Sequence, residues 1–200
     1  MTVELTDRIE MAENSGTNLD ELFELLERMP VPEGFKAEIV EGTVHMSPQR
    51  DAHWEIIAAV YDALRTRYPR NRLKSDVRLD FPGEANGFAP DVLALRSEAV
   101  PRADGRRGWH YQDVEFVAEV ISRGTAANDY GPKLRAYAVA EVPVYLIVDP
   151  YTASCQLHTH PKQGEYQSQL IAKFGEVIDL SDTIAGITLP TEDFPVERDG

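Results

Sequence analysis

The chain has 200 residues, of which 42% are hydrophobic and 27% charged, as in a globular protein with one substantial core. It contains no stretch of about eighteen apolar residues, and its N-terminus lacks a basic segment followed by an apolar one, so we predict neither a membrane span nor a signal peptide. The single cysteine, Cys155, excludes an internal disulfide framework and predicts a cytoplasmic protein.

The formal net charge of −14 argues against a nucleic-acid partner, because phosphate binding needs local positive charge. The basic side chains are concentrated in residues 50–107, which carry 11 Lys or Arg and 9 Asp or Glu. Two groups stand out: Arg65, Arg67, Arg70, Arg72, Lys74 and Arg78, then Arg96, Arg102, Arg106 and Arg107. Both a phosphate-contacting face and a balanced, solvated surface remain open.

The polar, acidic residues 1–16 are expected to form a mobile arm. A short helix is predicted over 19–29, followed by a hairpin of strands 36–40 and 43–46 around Glu41-Gly42. The apolar stripe of residues 49–67 is typical of an amphipathic helix.

Strict alternation of apolar and polar residues predicts a half-buried strand over 73–81, and 88–95 reads as a second strand. A third strand, 114–121, is apolar enough to be buried on both faces. A helix beginning near Asp129 then leads to a fourth strand, 144–148.

Strand, helix and strand in this order predict a right-handed crossover with a parallel strand pair. A C-terminal β-hairpin and extension follow. We expect one domain over residues 17–190 and a C-terminal tail over 191–200.

Asp91 and Glu119 stand out because each interrupts an apolar strand, where an uncompensated carboxylate is costly. Two such acids on consecutive strands predict a shared divalent cation, Mg²⁺ or Mn²⁺, since these ions take hard oxygen ligands. Either acid alone could equally be at a strand end, solvated or paired with an arginine.

Lys133 follows Glu119 by fourteen residues, near the start of the helix after that strand. Its ammonium is expected over the strand's carboxyl end, where it could orient a water and stabilise charge developing on a phosphodiester. The alternative is a solvated helix lysine. Asp129 lies one turn earlier, and a helix N-cap is at least as good an interpretation as a catalytic role.

Glu38 and His53 are accessory candidates. Histidine on the first core helix could contact a phosphate or support a metal ligand, but a buried structural histidine fits equally well. Glu38 could be a further ligand or only a polar hairpin residue.

The order of helix, three strands, helix and strand resembles the PD-(D/E)XK nuclease core, and more closely the Uma-type restriction endonuclease family, over about residues 19–170. The segments that carry the resemblance are Glu38-Ile39-Val40-Glu41-Gly42, Met46-Ser47-Pro48, His53, Pro90-Asp91-Val92, Glu119-Val120-Ile121-Ser122, Thr125, Asp129, Lys133, Tyr137, Val142-Pro143, Tyr145 and Val148-Asp149-Pro150. Their order and spacing are specific, although no single segment is.

The resemblance implies an α/β (α+β-like) fold with a restriction-endonuclease-like mixed sheet, an N-terminal helix plus hairpin and a C-terminal β extension. It also implies metal-assisted phosphodiester hydrolysis, with Asp91 and Glu119 holding the ion, together with the Val120 carbonyl, and Lys133 positioning water. The chain departs from the core motif at Ile121, where lysine is usual; the Uma-type pattern takes its lysine from the following helix.

Two hypotheses follow. The first is an endonuclease acting on double-stranded DNA, as a homodimer in which two sites address two strands. The second is a module of the same fold that binds nucleic acid or protein with weak or no catalysis, which the net charge favours. A serine or cysteine hydrolase is set aside, because no Gly-x-Ser-x-Gly elbow is present and Cys155 has no evident histidine partner.

Overall fold

The computed structural model describes residues 19–83, 85–102 and 108–197. The predicted arm, 1–16, lies outside these residues. The helices are α1 (Leu19–Arg28), α2 (Asp51–Arg65), α3 (Ala126–Tyr130) and α4 (Pro132–Val139). The strands are β1 (Phe35–Val40), β2 (Thr43–Pro48), β3 (Leu73–Lys74), β4 (Leu79–Phe81), β5 (Asn86–Phe88), β6 (Val92–Leu95), β7 (Val114–Val120), β8 (Val144–Asp149), β9 (Ser154–Lys162), β10 (Glu165–Lys173), β11 (Val177–Asp179) and β12 (Thr188–Pro190).

The strands form a six-stranded main sheet in the order β10-β9-β8-β7-β6-β3 and a four-stranded small sheet in the order β2-β1-β5-β4. Strands β7 and β8 run parallel, with α3 and α4 in the connection between them, and their neighbours pair antiparallel. The predicted mixed α/β fold and its parallel pair are therefore confirmed.

The two strands predicted over 73–81 and 88–95 are each broken in two. Lys74 pairs with Leu93 in the main sheet, whereas Asp80 pairs with Gly87 in the small sheet. Between these strands Asp76 has a φ of 54° and donates its backbone N–H to the carbonyl of Pro90. Alternation of apolar residues continues through the break, so the pattern alone could not reveal that the chain changes sheets.

The helix predicted from Asp129 is also divided. Gly131 separates α3 from α4, and Pro132 is the first residue of α4, where its missing N–H costs no helical bond. Asp129 is buried inside α3, so the N-cap interpretation was wrong. Asp129 and Lys133, four residues apart, meet across this break, with 3.0 Å between Oδ1 and Nζ.

Alternation along the main sheet places the two predicted acids on one face. Leu93, Leu95 and Val117 pack in the core beneath α4, while the intervening residues face the core beneath α2. Asp91 lies two residues before Leu93, and Glu119 lies two residues after Val117. Because alternate residues of a strand share a face, the side chains of both acids belong to the α4 face. The small sheet covers this face beside α4, and β1 thereby brings its own polar residues to the acids.

In the described ranges no helix is long and apolar enough to cross a membrane. Near the C-terminal end Thr191 is buried and Phe194 packs in the main core.

Candidate active site

Seven ionisable side chains form one buried cluster between the main sheet, the small sheet and the helices. It contains the acids Glu38, Asp91, Glu119 and Asp129 and the bases Lys36, His53 and Lys133, and each of them is at most 9% exposed. We call this set the acid cluster. It draws its members from β1, α2, the residue before β6, β7, α3 and α4.

Lys133 lies among three carboxylates. Its Nζ is 2.7 Å from Glu38 Oε2, 3.1 Å from Glu119 Oε1 and 3.0 Å from Asp129 Oδ1. Burial alone would lower the pKa of Lys133, but the three carboxylates raise it well above its ordinary value. Lys133 is thus an ammonium at neutral pH, able to donate hydrogen bonds but not to accept a proton.

Lys36 lies on the other side of the same acids. Its Nζ is 2.6 Å from Asp91 Oδ1, 3.1 Å from the Ala89 carbonyl, 3.5 Å from Glu119 Oε2 and 3.7 Å from Glu38 Oε2. Burial opposes its charge, but the carboxylates raise its pKa above the ordinary value. A second permanent cation therefore lies between the two predicted metal ligands.

Asp91 is the most fully bonded of the acids. Its Oδ2 accepts the Val120 N–H at 2.8 Å and lies 3.0 Å from His53 Nε2, while Oδ1 accepts from Lys36. Burial would raise the pKa of Asp91, but the charges and hydrogen bonds of Lys36 and His53 hold it far below its ordinary value. Asp91 is therefore a carboxylate.

Glu119 and Glu38 are oriented by further hydrogen bonds. Tyr137 donates its hydroxyl to Glu119 Oε1 at 2.6 Å, and the Ala89 N–H donates to Glu38 Oε1 at 2.7 Å. Burial is the main cause that raises the pKa of Glu119 to about 8; the charges of Lys133 and Lys36 oppose this shift, and those of Glu38 and Asp91 add to it.

The cluster is short of positive charge. With both lysines charged, ionisation of all four acids would give these six side chains a net charge of −2, which one divalent cation would balance; burial without such a cation is what raises the pKa of Glu119. A narrow crevice lined by Glu38, His53, Glu119 and Lys133, among others, has a volume of about 10 Å³. That is room for about one water or one ion.

The donor chemistry and the charge of the cluster fit a hard divalent cation, but its oxygens are already engaged. Across the part of the chain that the structure describes, no three His, Cys, Asp or Glu side chains are grouped as metal ligands, because ammonium groups lie between the carboxylates. For an ion to bind Asp91 and Glu119 together, Lys36 has to move.

The structure brings together every candidate that the sequence suggested: Asp91, Glu119 and Lys133, with the accessory Glu38 and His53. Sequence reasoning missed Lys36. The signal was present, since Lys36 and Glu38 are two residues apart on a strand and so share a face.

Much of the basic segment is engaged within the protein. Arg72 pairs with Glu115 at 3.1 Å, and Arg96 pairs with Asp113 at 3.5 Å. Lys74 lies over the Trp109 ring at 5.0 Å. These contacts favour the balanced-surface interpretation for those three side chains, whereas Arg106 and Arg107 lie outside the described residues.

A family model described as "Putative restriction endonuclease", Uma2, matches residues 22–192. The chain belongs to the Uma2 family. The match covers every member of the acid cluster, so the resemblance inferred from sequence is confirmed.

The fold of this Uma2 chain is similar to that of the crystal structure of a putative nuclease belonging to DUF820 from Anabaena variabilis. The TM-score is 0.67 at 14% sequence identity, covering 89% of this chain and 97% of the other. At this identity the likeness concerns the fold alone. No curated protein matches the sequence.

Proposed function

We propose that this Uma2 chain is a metal-dependent endonuclease that hydrolyses phosphodiester bonds in DNA. The observation that carries the proposal is the acid cluster: Asp91 and Glu119 approach the same point from neighbouring segments of the main sheet, within reach of the Lys133 ammonium. The family supports a nuclease, and the cluster supplies the residues for one.

Asp91 and Glu119 would hold Mg²⁺ or Mn²⁺, together with the Val120 carbonyl. When bound, such an ion supplies positive charge to the phosphate and lowers the pKa of a bound water. His53 keeps Asp91 oriented through its Nε2, and Tyr137 does the same for Glu119.

Lys133 would stabilise the negative charge that develops on the phosphodiester and hold the attacking water by hydrogen bonding. It can do this because its surroundings keep it protonated. Glu38 would act as a positioning residue, since it accepts from Lys133 and from the Ala89 backbone at once.

A nicking assay on supercoiled plasmid tests the proposal. Wild-type protein with Mg²⁺ or Mn²⁺ should nick DNA, chelator should stop it, and Asp91→Asn should lower the rate by at least about a hundredfold. Asp62→Asn, an exposed acid on α2, is the matched control and should cleave as the wild type does. Cleavage that persists in chelator, or in Asp91→Asn, would reject the hydrolytic function.

Cleavage of both strands of a duplex suits a homodimer, and we propose that the second copy pairs along β10. This nine-residue strand is at an edge of the main sheet, and Leu170 and Ile171, on its opposite faces, are 47% and 60% exposed. An antiparallel pairing of two copies centred on Gln169 would place Glu165 opposite Lys173 at both ends.

Charge reversal tests this pairing by light scattering. Glu165→Lys should convert dimer to monomer, and the double variant Glu165→Lys/Lys173→Glu should restore the dimer. A monomeric wild type, or a single variant that stays dimeric, would reject the β10 interface.

The alternative is a nuclease-fold module that binds nucleic acid or a protein without cleavage, which the net charge of −14 and the internal pairing of Arg72 and Arg96 favour. Salt-sensitive retention of DNA by Asp91→Asn, in a protein whose wild type does not cleave, would support it. Loss of retention at low salt would count against it.

A further inference from the structure

The ammonium of Lys36 lies where a divalent cation would be held. Within 3.7 Å of its Nζ are one oxygen each of Asp91, Glu119 and Glu38 and the carbonyl of Ala89. Carboxylate and carbonyl oxygens are the ligands that Mg²⁺ and Mn²⁺ prefer, and here four of them surround an amine.

The two lysines of the acid cluster differ in the contacts that the acids would lose if each ammonium moved away. Lys133 binds Asp129, next to the break between α3 and α4, in addition to Glu38 and Glu119. Among the described residues no other lysine is paired with Asp129, so the loss of Lys133 would leave that acid without a lysine partner. Lys36 shares Glu38 and Glu119 with Lys133, and Asp91 retains His53 and the Val120 N–H without it. Lys36 is therefore the replaceable cation.

A second cavity beside Lys36 offers space into which its ammonium could move. Besides lining the narrow crevice, Lys36 borders this second cavity of about 240 Å³, whose walls include Gln49, Asp76, Arg78 and Ala89. The Asp76 carboxylate, hydrogen-bonded to Gln49, is the acid of that cavity, and its pKa, which burial raises, is already lowered by the charge of Lys36, while Arg78 brings one positive charge to the same walls. A lysine stem has four methylene groups, so the ammonium can turn from one space into the other while β1 stays in place.

We propose that Lys36 is a built-in competitor of the divalent cation: its ammonium occupies the cation position in the metal-free protein, and turns towards Asp76 when the ion binds. The inference rests on the proposed function, because it names the regulation of that same metal site. Lys36 would neutralise the acids when no ion is present, at the cost of a weaker affinity for the metal.

Manganese titration followed by electron paramagnetic resonance measures this competition without any cleavage assay. Lys36→Met, which keeps the stem and removes the charge, should bind Mn²⁺ at least about tenfold more tightly than the wild type. Lys74→Met, a lysine on β3 outside the acid cluster, is the matched control and should bind as the wild type does.

The outcomes separate the two proposals. If the wild type binds Mn²⁺ and Lys36→Met binds it no more tightly, the competitor role is overturned while the metal site stands. If Lys36→Met binds as the wild type does but cleaves far more slowly, Lys36 is a catalytic residue instead. If neither protein binds Mn²⁺, the metal site and its competitor both fail.

A second measurement uses the wild type and so does not depend on how the variant folds. Reductive methylation mapped by mass spectrometry should modify Lys36 at least about fivefold faster with Mn²⁺ than with chelator, because the displaced amine leaves its ion pairs. Lys133, buried in the same cluster, is the internal control and should stay protected in both conditions. Unchanged protection of Lys36 would overturn the proposal.

Discussion

Strand β1 and helix α4 each bring one lysine into the acid cluster, but they hold it differently. On the helix side, Lys133 contacts three carboxylates at 2.7–3.1 Å and borders only the narrow crevice of about 10 Å³ among the cavities described above. On the hairpin side, Lys36 has one carboxylate at 2.6 Å and two more at 3.5 and 3.7 Å, with a cavity beside it.

The difference shows that burial and charge alone do not define a lysine's role. Both side chains are less than 10% exposed and both carry a raised pKa, so these measures cannot separate them. The arrangement of partners can: Lys133 has a partner of its own in Asp129, whereas each acid near Lys36 has another donor. The helix side is expected to be fixed and the hairpin side exchangeable.

The largest expected effect is that of Lys133→Met on stability. Removing this ammonium takes the lysine partner from Asp129 and leaves Glu38 and Glu119 with the more distant Lys36, and we expect the free energy of unfolding in chelator to fall by about 3–5 kcal/mol. Lys36→Met should lose less, and Mn²⁺ should restore stability to Lys36→Met but not to Lys133→Met. Urea unfolding of both variants, each in chelator and in Mn²⁺, measures these four free energies. Equal losses of unfolding free energy in the two variants, or recovery of both with Mn²⁺, would contradict the difference between the two sides.

Glu38 joins the two sides, and Glu38→Gln should have an intermediate effect. Glutamine keeps an acceptor for the Ala89 N–H but removes a carboxylate from Lys133, while it also relieves repulsion among the acids. We expect a loss of about 1–3 kcal/mol in urea unfolding. A loss as large as that of Lys133→Met would mean that Glu38 alone determines the stability of the helix side.

Tyr137→Phe is a milder test of the helix side. It removes the hydroxyl that donates to Glu119 at 2.6 Å, with an expected loss of about 1–2 kcal/mol and a slower nicking rate. Tyr166→Phe, whose hydroxyl donates to the Val142 carbonyl away from the acid cluster, is the control and should cleave normally. If both variants lose cleavage equally, the effect is one of general packing and not of Glu119.

The smallest expected effect is on Cys155, which lies in the core on the other face of the main sheet. Burial, with the Asp149 charge, raises the pKa of its thiol to about 12, so it should react with a disulfide reagent only on unfolding. Thiol labelling at pH 8 should be equally slow in the wild type, Lys36→Met and Tyr137→Phe. Rapid labelling of Lys36→Met would show that the exchange is not confined to the hairpin side.

The helix side could be predicted from sequence, whereas on the hairpin side the sequence shows only that Lys36 shares a strand face with Glu38. Glu119 and Lys133 are joined by a single strand-to-helix connection, so local order and spacing bring them together. Lys36 meets Asp91 across 55 residues of chain, through the packing of one sheet on another. No local pattern records that packing, just as none recorded the change of sheet at Asp76 that builds the small sheet.

The central claim is that Asp91 and Glu119 share one divalent cation, and manganese soaked into crystals tests it most directly. The account predicts one anomalous difference peak within about 2.5 Å of oxygens from both carboxylates, with the Lys36 amine turned towards Asp76. Crystals that hold Mn²⁺ elsewhere or not at all, with Lys36 still bonded to Asp91, would contradict it.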